Sequence, residues 1–331
     1  MMSSDHDSVD VPVYLMCPPE HYAIDAHATA GPANDMSVEG ARVYANDPAA
    51  FRERAVRKWE RFRAVLEREL GARIIELPAS EGLSDQVFAA DGSISLTRPD
   101  GSSVALLSRF TYEERQAEVV SHAEALRAYD PSCELHEATF NIEGCGDNVY
   151  DPCRDVFWSG CTREPKRSEA GCGRSDARAH AQLEELTGAE AVGLEVRRPF
   201  FHLDTAVAIL PGGHVMCCPD GLSDDAFMAL RTRAFAPFGL TEDEHLIRVS
   251  RADAERYACN VVTRGDRVVL PNVSDALLDR LRASGYDPIT VDLEEFILSG
   301  GGPHCLTNRV NERRVVASAS GGTGLRRAAR G

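Results

Sequence analysis

Gly300-Gly301-Gly302-Pro303-His304-Cys305-Leu306-Thr307 is the stretch on which the reading of this chain turns. Three glycines and a proline ahead of a cysteine let backbone approach a ligand closely and present a thiol without crowding. Beside a cationic partner, such a thiol holds its thiolate form, the reactive species. The plain alternative is a flexible loop with an incidental core cysteine. Upstream of Cys305, residues able to do chemistry stand near strand-like runs at Asn260, His202, Glu143 and Asp91. Counted from Asp91 to Cys305, the separations are 52, 59, 58 and 45 residues. Such near-regularity predicts modules repeated around a centre, each offering a side chain to one pocket.

Three further segments carry those residues. In Phe200-Phe201-His202-Leu203-Asp204-Thr205, strand alternation places His202 and Asp204 on one face, pairing a proton carrier with an acid able to hold a cation. Asn141-Ile142-Glu143-Gly144-Cys145-Gly146-Asp147 holds two carboxylates in a glycine turn, and Asp85-Gln86-Val87-Phe88-Ala89-Ala90-Asp91-Gly92 reads as a short strand ended by an acid and a glycine. Alone, these are equally a structural histidine, surface turn acids and a strand-to-turn junction. As a set they suit one chemistry. A guanidinium is planar, permanently charged and poorly electrophilic, so attack at its carbon needs carboxylates, a thiolate and a proton shuttle.

The rest of the chain is α/β. Phe51, Ala55, Trp59, Phe62, Leu66 and Leu70 recur at helical spacing behind Pro48, predicting a helix over 48–70 that Gly71 ends. Further helices are predicted at 112–128, 175–187, 223–235, 251–258 and 274–284, between strand-like runs such as ARIIELP, AVGLEV, TAVAIL, RVVLP and ITVDL. Residues 1–10 and 312–331 lack apolar periodicity and are expected to be disordered, leaving 11–311 as a single domain.

Acidic residues outnumber basic ones 52 to 36, a field that disfavours nucleic acid and anionic lipid and favours a cationic small molecule. No window reaches the roughly eighteen apolar residues of a membrane span, and the acidic start is unlike a signal peptide, so a cytoplasmic location is expected. The stretch 151–173 reads as a loop insertion near the pocket mouth. Its Cys153, Cys161 and Cys172 lack the close spacing of structural zinc ligands, and no phosphate-binding glycine loop appears, so neither metal nor cofactor is expected.

GGGPHCLT, FHLDT, EGCGD, DQVFAADG and the early Met16-Cys17-Pro18-Pro19 resemble the signature segments of the bacterial dimethylargininase- and amidinotransferase-like proteins of the pentein superfamily, in matching order across 11–311. The resemblance implies a five-bladed α/β propeller of pseudo-fivefold repeated modules around a central active site. It further implies Cys305 as nucleophile, His202 as general acid and base, and Glu143 as its carboxylate partner. Asp91 and Asp204 would grip the guanidinium nitrogens, Asp147 would help to shape that shell, and Arg174 would bind the substrate carboxylate. Two departures stand out. EGCGD has one residue more between its acids than the commoner Glu-Gly-Gly-Asp, and Asp204 stands where dimethylargininases often carry lysine. An extra carboxylate favours a guanidinium with free N–H groups over a dimethylated one.

The expected function is hydrolysis of arginine or an N-substituted arginine through a covalent Cys thiouronium, giving a citrulline-type product and amine or ammonia. Amidino transfer from arginine to an amine acceptor is the neighbouring alternative, and a non-catalytic pentein binding protein the third. The implied partner is a small-molecule guanidino substrate, and a homodimer is compatible with this reading.

Overall fold

Phe51, Ala55, Trp59, Phe62 and Leu66 form the buried stripe of a helix spanning Pro48–Glu69, as their spacing requires. Pro48 opens it, the Asp47 side chain accepts from Ala50 N at 3.0 Å, and Gly71 follows in a left-handed conformation at φ +57°. The stripe packs against Tyr14, Met16, Val262, Val269 and Phe296, tying the start of the chain to its last quarter. Replacing the fully buried Phe62 with alanine is expected to destabilise the protein by about 3–5 kcal/mol in denaturant unfolding; a loss under about 1 kcal/mol would show that this stripe does not carry the packing.

The structure is a computed structural model describing residues 11–24, 35–162 and 173–316, side chains of 35–37 excepted. The expectations of disorder at 1–10 and over 317–331 fall outside the described residues. Strands in chain order are β1 (Val13–Met16), β2 (Arg73–Glu76), β3 (Ser93–Thr97), β4 (Ser103–Leu107), β5 (Glu134–Glu137), β6 (Asn148–Asp151), β7 (Val156–Cys161) and β8 (Glu190–Glu195). They continue as β9 (Val207–Ile209), β10 (Val215–Cys217), β11 (Leu246–Arg248), β12 (Val262–Arg264), β13 (Arg267–Pro271), β14 (Asp287–Val291) and β15 (Asn308–Arg309).

Among the described residues these strands form five three-stranded sheets, ordered β3-β4-β5, β6-β7-β8, β9-β10-β11, β12-β13-β14 and β15-β1-β2. In every sheet the first two strands are antiparallel and the second pairs parallel with the third. Parallel neighbours need a crossover, and helices supply it: Glu118–Tyr129, His180–Thr187, Asp224–Ala234, Asp275–Ala283 and, between β1 and β2, Asp35–Asn46 with Pro48–Glu69. This is the five-module propeller that the spacing and the resemblance predict. The ring closes where β15, from the end of the chain, pairs with β1, setting Leu15 opposite Asn308.

Two local expectations change. The helix predicted over 251–258 stops at Ala254, and Tyr257 then takes a left-handed φ of +64°, which ends the helix and turns the chain toward Asn260. The reading of 151–173 as a loop insertion fails for its first part, because Val156–Cys161 is the buried central strand β7; Thr162 bridges Asp176, and 163–172, with Cys172, lies outside the described residues. Glu312 and its neighbours, read as tail, make ordered contacts: Thr97 N donates to Glu312 O at 2.7 Å, and the Arg314 side chain pairs with Asp155 at 2.9 Å. Among the described residues no helix is long and apolar enough to cross a membrane.

Candidate active site

Each module delivers one polar side chain just ahead of its first strand. Asp91 lies in the 3-10 turn Ala89–Gly92 before β3, Glu143 before the helical turn Gly144–Asp147 that leads into β6, and His202 before the turn Leu203–Thr205 that leads into β9. Asn260 precedes β12 and Cys305 precedes β15. A repeated topology thus brings the first strand of each module, and the loop ahead of it, to one axis.

Local structure differs from the expectation in two of these segments. DQVFAADG is no strand: it coils into the 3-10 turn because Asn308 Nδ2 donates to the carbonyls of Ala89 at 3.1 Å and Ser93 at 2.7 Å, while Ala90 N donates to Cys305 O at 3.0 Å. FHLDT likewise is not a strand that sets His202 and Asp204 on one face. Leu203 N donates to Asp147 Oδ1 at 3.0 Å and Thr205 Oγ1 to His202 O at 2.6 Å, and the chain winds so that the two side chains take different partners. The glycines before Cys305 answer to close packing. A Cβ on Gly301 would stand 2.3 Å from the Phe88 ring, and one on Gly302 2.9 Å from Asn260 Oδ1.

Two clusters meet in the centre. In the first, His202 Nε2 lies 2.8 Å from Glu143 Oε2 and its Nδ1 lies 3.5 Å from Asp91 Oδ1. In the second, Cys305 Sγ donates to Asp204 Oδ2 at 3.3 Å and receives Asn260 Nδ2 at 3.0 Å. Cys305 and His202 line one small cavity of about 20 Å³ with Asp91, Arg115, Arg174 and Phe201. Asp204 borders a separate, larger cavity of about 270 Å³, where His304 Nδ1 meets its Oδ2 at 2.9 Å.

The charges of the site follow from these contacts. Burial would raise Glu143, yet Arg174 and His202 hold it well below the usual carboxylate range. Burial disfavours charge on His202, but Asp91 and the hydrogen bond to Glu143 outweigh it and raise the imidazole to about 9. Cys305 is pushed well above the ordinary thiol range by burial and by Asp204 and Asp91. Burial and these carboxylates favour the protonated thiol in the absence of a cation.

The remaining expected residues fall as follows. Arg174 Nη1 lies 3.4 Å from Glu143 Oε2, its guanidinium stacked 4.3 Å over the Phe201 ring and 5.1 Å over Tyr112. Asp147 is fully buried and stands in the frame beneath the cavity, its Oδ2 accepting from Ser175 Oγ at 2.6 Å and Ser175 N at 3.2 Å, its Oδ1 from Leu203.

Three residues had gone unread or without a role. Arg115 pairs with Asp91 Oδ2 at 2.9 Å, grips both oxygens of Glu118 at 2.9 Å and stacks 4.5 Å over Phe110. Its only trace in the sequence is the Arg115/Glu118 spacing, ordinary for a solvated helix end. His304 had appeared only as Cys305's neighbour. Asn260 stood in the series of spaced residues, yet nothing in its surroundings indicated contact with a sulfur.

No family model matches the chain. It is 31% identical over 307 residues to the bifunctional arginine dihydrolase/ornithine cyclodeaminase AgrE of Nostoc sp., covering 90% of this chain and 38% of that protein. It is also 31% identical over 258 residues to the N(G),N(G)-dimethylarginine dimethylaminohydrolase of Mycobacterium tuberculosis, covering 77% of this chain and 75% of that one. Among solved structures, the N-terminal domain of ArgZ, described as an arginine dihydrolase from the ornithine-ammonia cycle in cyanobacteria and bound to product, superposes with a TM-score of 0.76 at 26% identity, covering 93% of this chain and all of that one. A variant of that domain, covalently bound to a reaction intermediate, matches with the same TM-score and identity over 92% of this chain. The chain spans less than two fifths of the length of AgrE and of ArgZ, 38% and 37%.

Proposed function

The chain belongs to the pentein superfamily, in the group that includes dimethylarginine dimethylaminohydrolase, and from that membership we propose that it hydrolyses the guanidino group of arginine or an N-substituted arginine. One observation carries the proposal. Asp91 Oδ1 and His202 Nδ1, 3.5 Å apart, are buried without hydrogen-bond partners on residues that line one small cavity with Cys305, and Asp204 Oδ1, likewise without one, belongs to the carboxylate whose other oxygen meets Cys305 Sγ. Buried carboxylate oxygens without donors are costly. A planar cation with free N–H groups on two edges satisfies both acids and sets its carbon against the sulfur.

The same cation resolves the protonation state of Cys305. Asp91 and Asp204 disfavour a thiolate while their charge is unbalanced, and a guanidinium between them balances it and stands at contact with the sulfur, so binding lets the thiol release its proton to solvent. Cys305 Sγ then forms a bond to the guanidinium carbon. His202, protonated through Asp91 and Glu143, gives its proton to the departing nitrogen as the C–N bond breaks, leaving a thiouronium on sulfur. Neutral His202 next takes a proton from water, whose oxygen bonds to the same carbon; the C–S bond breaks, its electrons return to sulfur, and the remaining hydroxyl proton leaves as the carbonyl forms, replacing the one the thiol released. The products are amine or ammonia and a ureido compound such as citrulline.

The test is incubation with a panel of guanidino compounds, followed by assays for ureido product and ammonia and by intact-mass analysis for an adduct on Cys305. Ureido product with a transient adduct supports the proposal. Amine-dependent movement of the amidino group would make the enzyme a transferase, and no consumption of any guanidine would refute both. Asp204→Asn is expected to weaken a guanidinium substrate about ten- to a hundredfold and a neutral ureido product much less, by loss of a charge-assisted contact. Equal effects on the two ligands, measured by calorimetry, would exclude Asp204 from the binding of the cation.

A further inference from the structure

Asn260 is fully buried, and its amide makes four polar contacts, all on the loop and acid that hold the sulfur. Its Oδ1 accepts from the backbone N–H groups of Cys305 at 3.0 Å and Gly302 at 3.1 Å. Its Nδ2 donates to Asp204 Oδ2 at 2.8 Å and to Cys305 Sγ at 3.0 Å. Two backbone donors on one oxygen fix which way the amide points, so the nitrogen faces the sulfur. Gly302 is shaped to this contact, since a Cβ there would lie 3.2 Å from Asn260 Cβ as well as against its oxygen.

The other groups around Cys305 act in both directions: carboxylates oppose an anion on sulfur, while the cations across the cavity and the Gly302 backbone N–H favour one. Asp204 touches it, Asp91 and Tyr257 act on it through space, His202 and Arg174 stand across the cavity, and His304 lies behind Asp204. Asn260 Nδ2 is a side-chain hydrogen-bond donor to Sγ, and the backbone N–H of Gly302 also favours the charged form. An N–H aimed at a sulfur favours its charged form, and a contact to a charged partner is stronger than a neutral one.

We propose that Asn260 is a further catalytic residue, its Nδ2–H stabilising Cys305 as the thiolate both before attack on the substrate carbon and when the C–S bond breaks. The inference rests on the reading of Cys305 as the nucleophile. No bond to Asn260 is made or broken; it meets the lone pair that sulfur carries at the start and recovers at the end. Its oxygen meanwhile holds the Gly302–Cys305 backbone in register.

The test reads the sulfur directly, in the full chain. The rate at which iodoacetamide alkylates Cys305 is followed against pH, with the modified peptide quantified by mass spectrometry, for the unaltered protein, Asn260→Ala and Asn260→Asp. Alanine removes donor and acceptor, whereas aspartate keeps an acceptor for both backbone N–H groups and lacks the donor. In both variants the pH midpoint of alkylation is expected to rise by about one to two units, with kcat falling about ten- to a hundredfold and KM nearly constant. An unchanged midpoint in Asn260→Ala overturns the proposal, and so does a midpoint restored by Asn260→Asp, which would leave only a loop anchor. If Asn260→Ala does not fold, Asn260→Leu, close in volume and without donor or added charge, decides. Alkylation needs no guanidino substrate, so it reports on Asn260 even if no guanidine is consumed, and an unshifted midpoint in a protein that still makes ureido product sinks this inference alone.

Discussion

Cys305→Ser is expected to abolish guanidino turnover, by on the order of 10⁴-fold or more, while the protein melts within a few degrees of its parent. The substitution exchanges one atom at a side chain that is 2% exposed, so it opens no large cavity and leaves the Asn260 and Asp204 contacts a hydroxyl can use. A hydroxyl beside two carboxylates does not ionise where a thiol can, and no adduct should form. The measurements are product formation and intact mass after incubation with arginine, together with substrate binding by calorimetry. Retained binding with lost chemistry is the expected pattern, and full activity in the serine variant would remove Cys305 from the mechanism.

His202→Ala is expected to lower kcat by about 10²–10⁴-fold, because in the proposed mechanism one group serves the departing nitrogen and then the attacking water. Its pH behaviour provides a second reading. His202 is raised to about 9 from an ordinary value near 6.5, so the stability it contributes is fully present below about 6.5 and is lost as pH rises through about 9. Thermal melts of the unaltered protein should therefore fall over that window more steeply than those of His202→Ala. The variant should melt lower at neutral pH, since Glu143 then keeps Arg174 and loses its imidazole. Turnover of the parent should also decline above about pH 9, where the acid that protonates the leaving group is absent. Parallel melting profiles in the two proteins would show that His202 is not held as the imidazolium.

Much of the fold was readable because the relevant signals are local. The stripe from Phe51 to Leu66 places a helix, the runs ARIIELP and RVVLP mark strands, and each module repeats that grammar. The near-equal distances from Asp91 to Cys305 reflect a repeated unit whose first strand always reaches the axis. The failures are instructive in the same terms. FHLDT has the alternation of a strand, but Asp147 and Thr205 offer its backbone nearby hydrogen bonds that wind it into a turn. DQVFAADG is coiled by Asn308, more than 200 residues later, which no window of sequence contains.

The list of chemical groups was open to inspection in the residues: a thiol behind glycines, one imidazole, and acids at repeated distances. What they do to each other was not, because electrostatics depends on a few ångströms that chain separation does not encode. A cysteine behind glycines does not show in sequence that carboxylates act on its sulfur and, with burial, hold its proton. Asp147, indistinguishable in sequence from a ligand, spends its oxygens on the hydroxyl and backbone N–H of Ser175 and the backbone N–H of Leu203. Asn260 touches the sulfur only because the fourth and fifth modules close against each other, 45 residues apart along the chain and 3.0 Å apart in space.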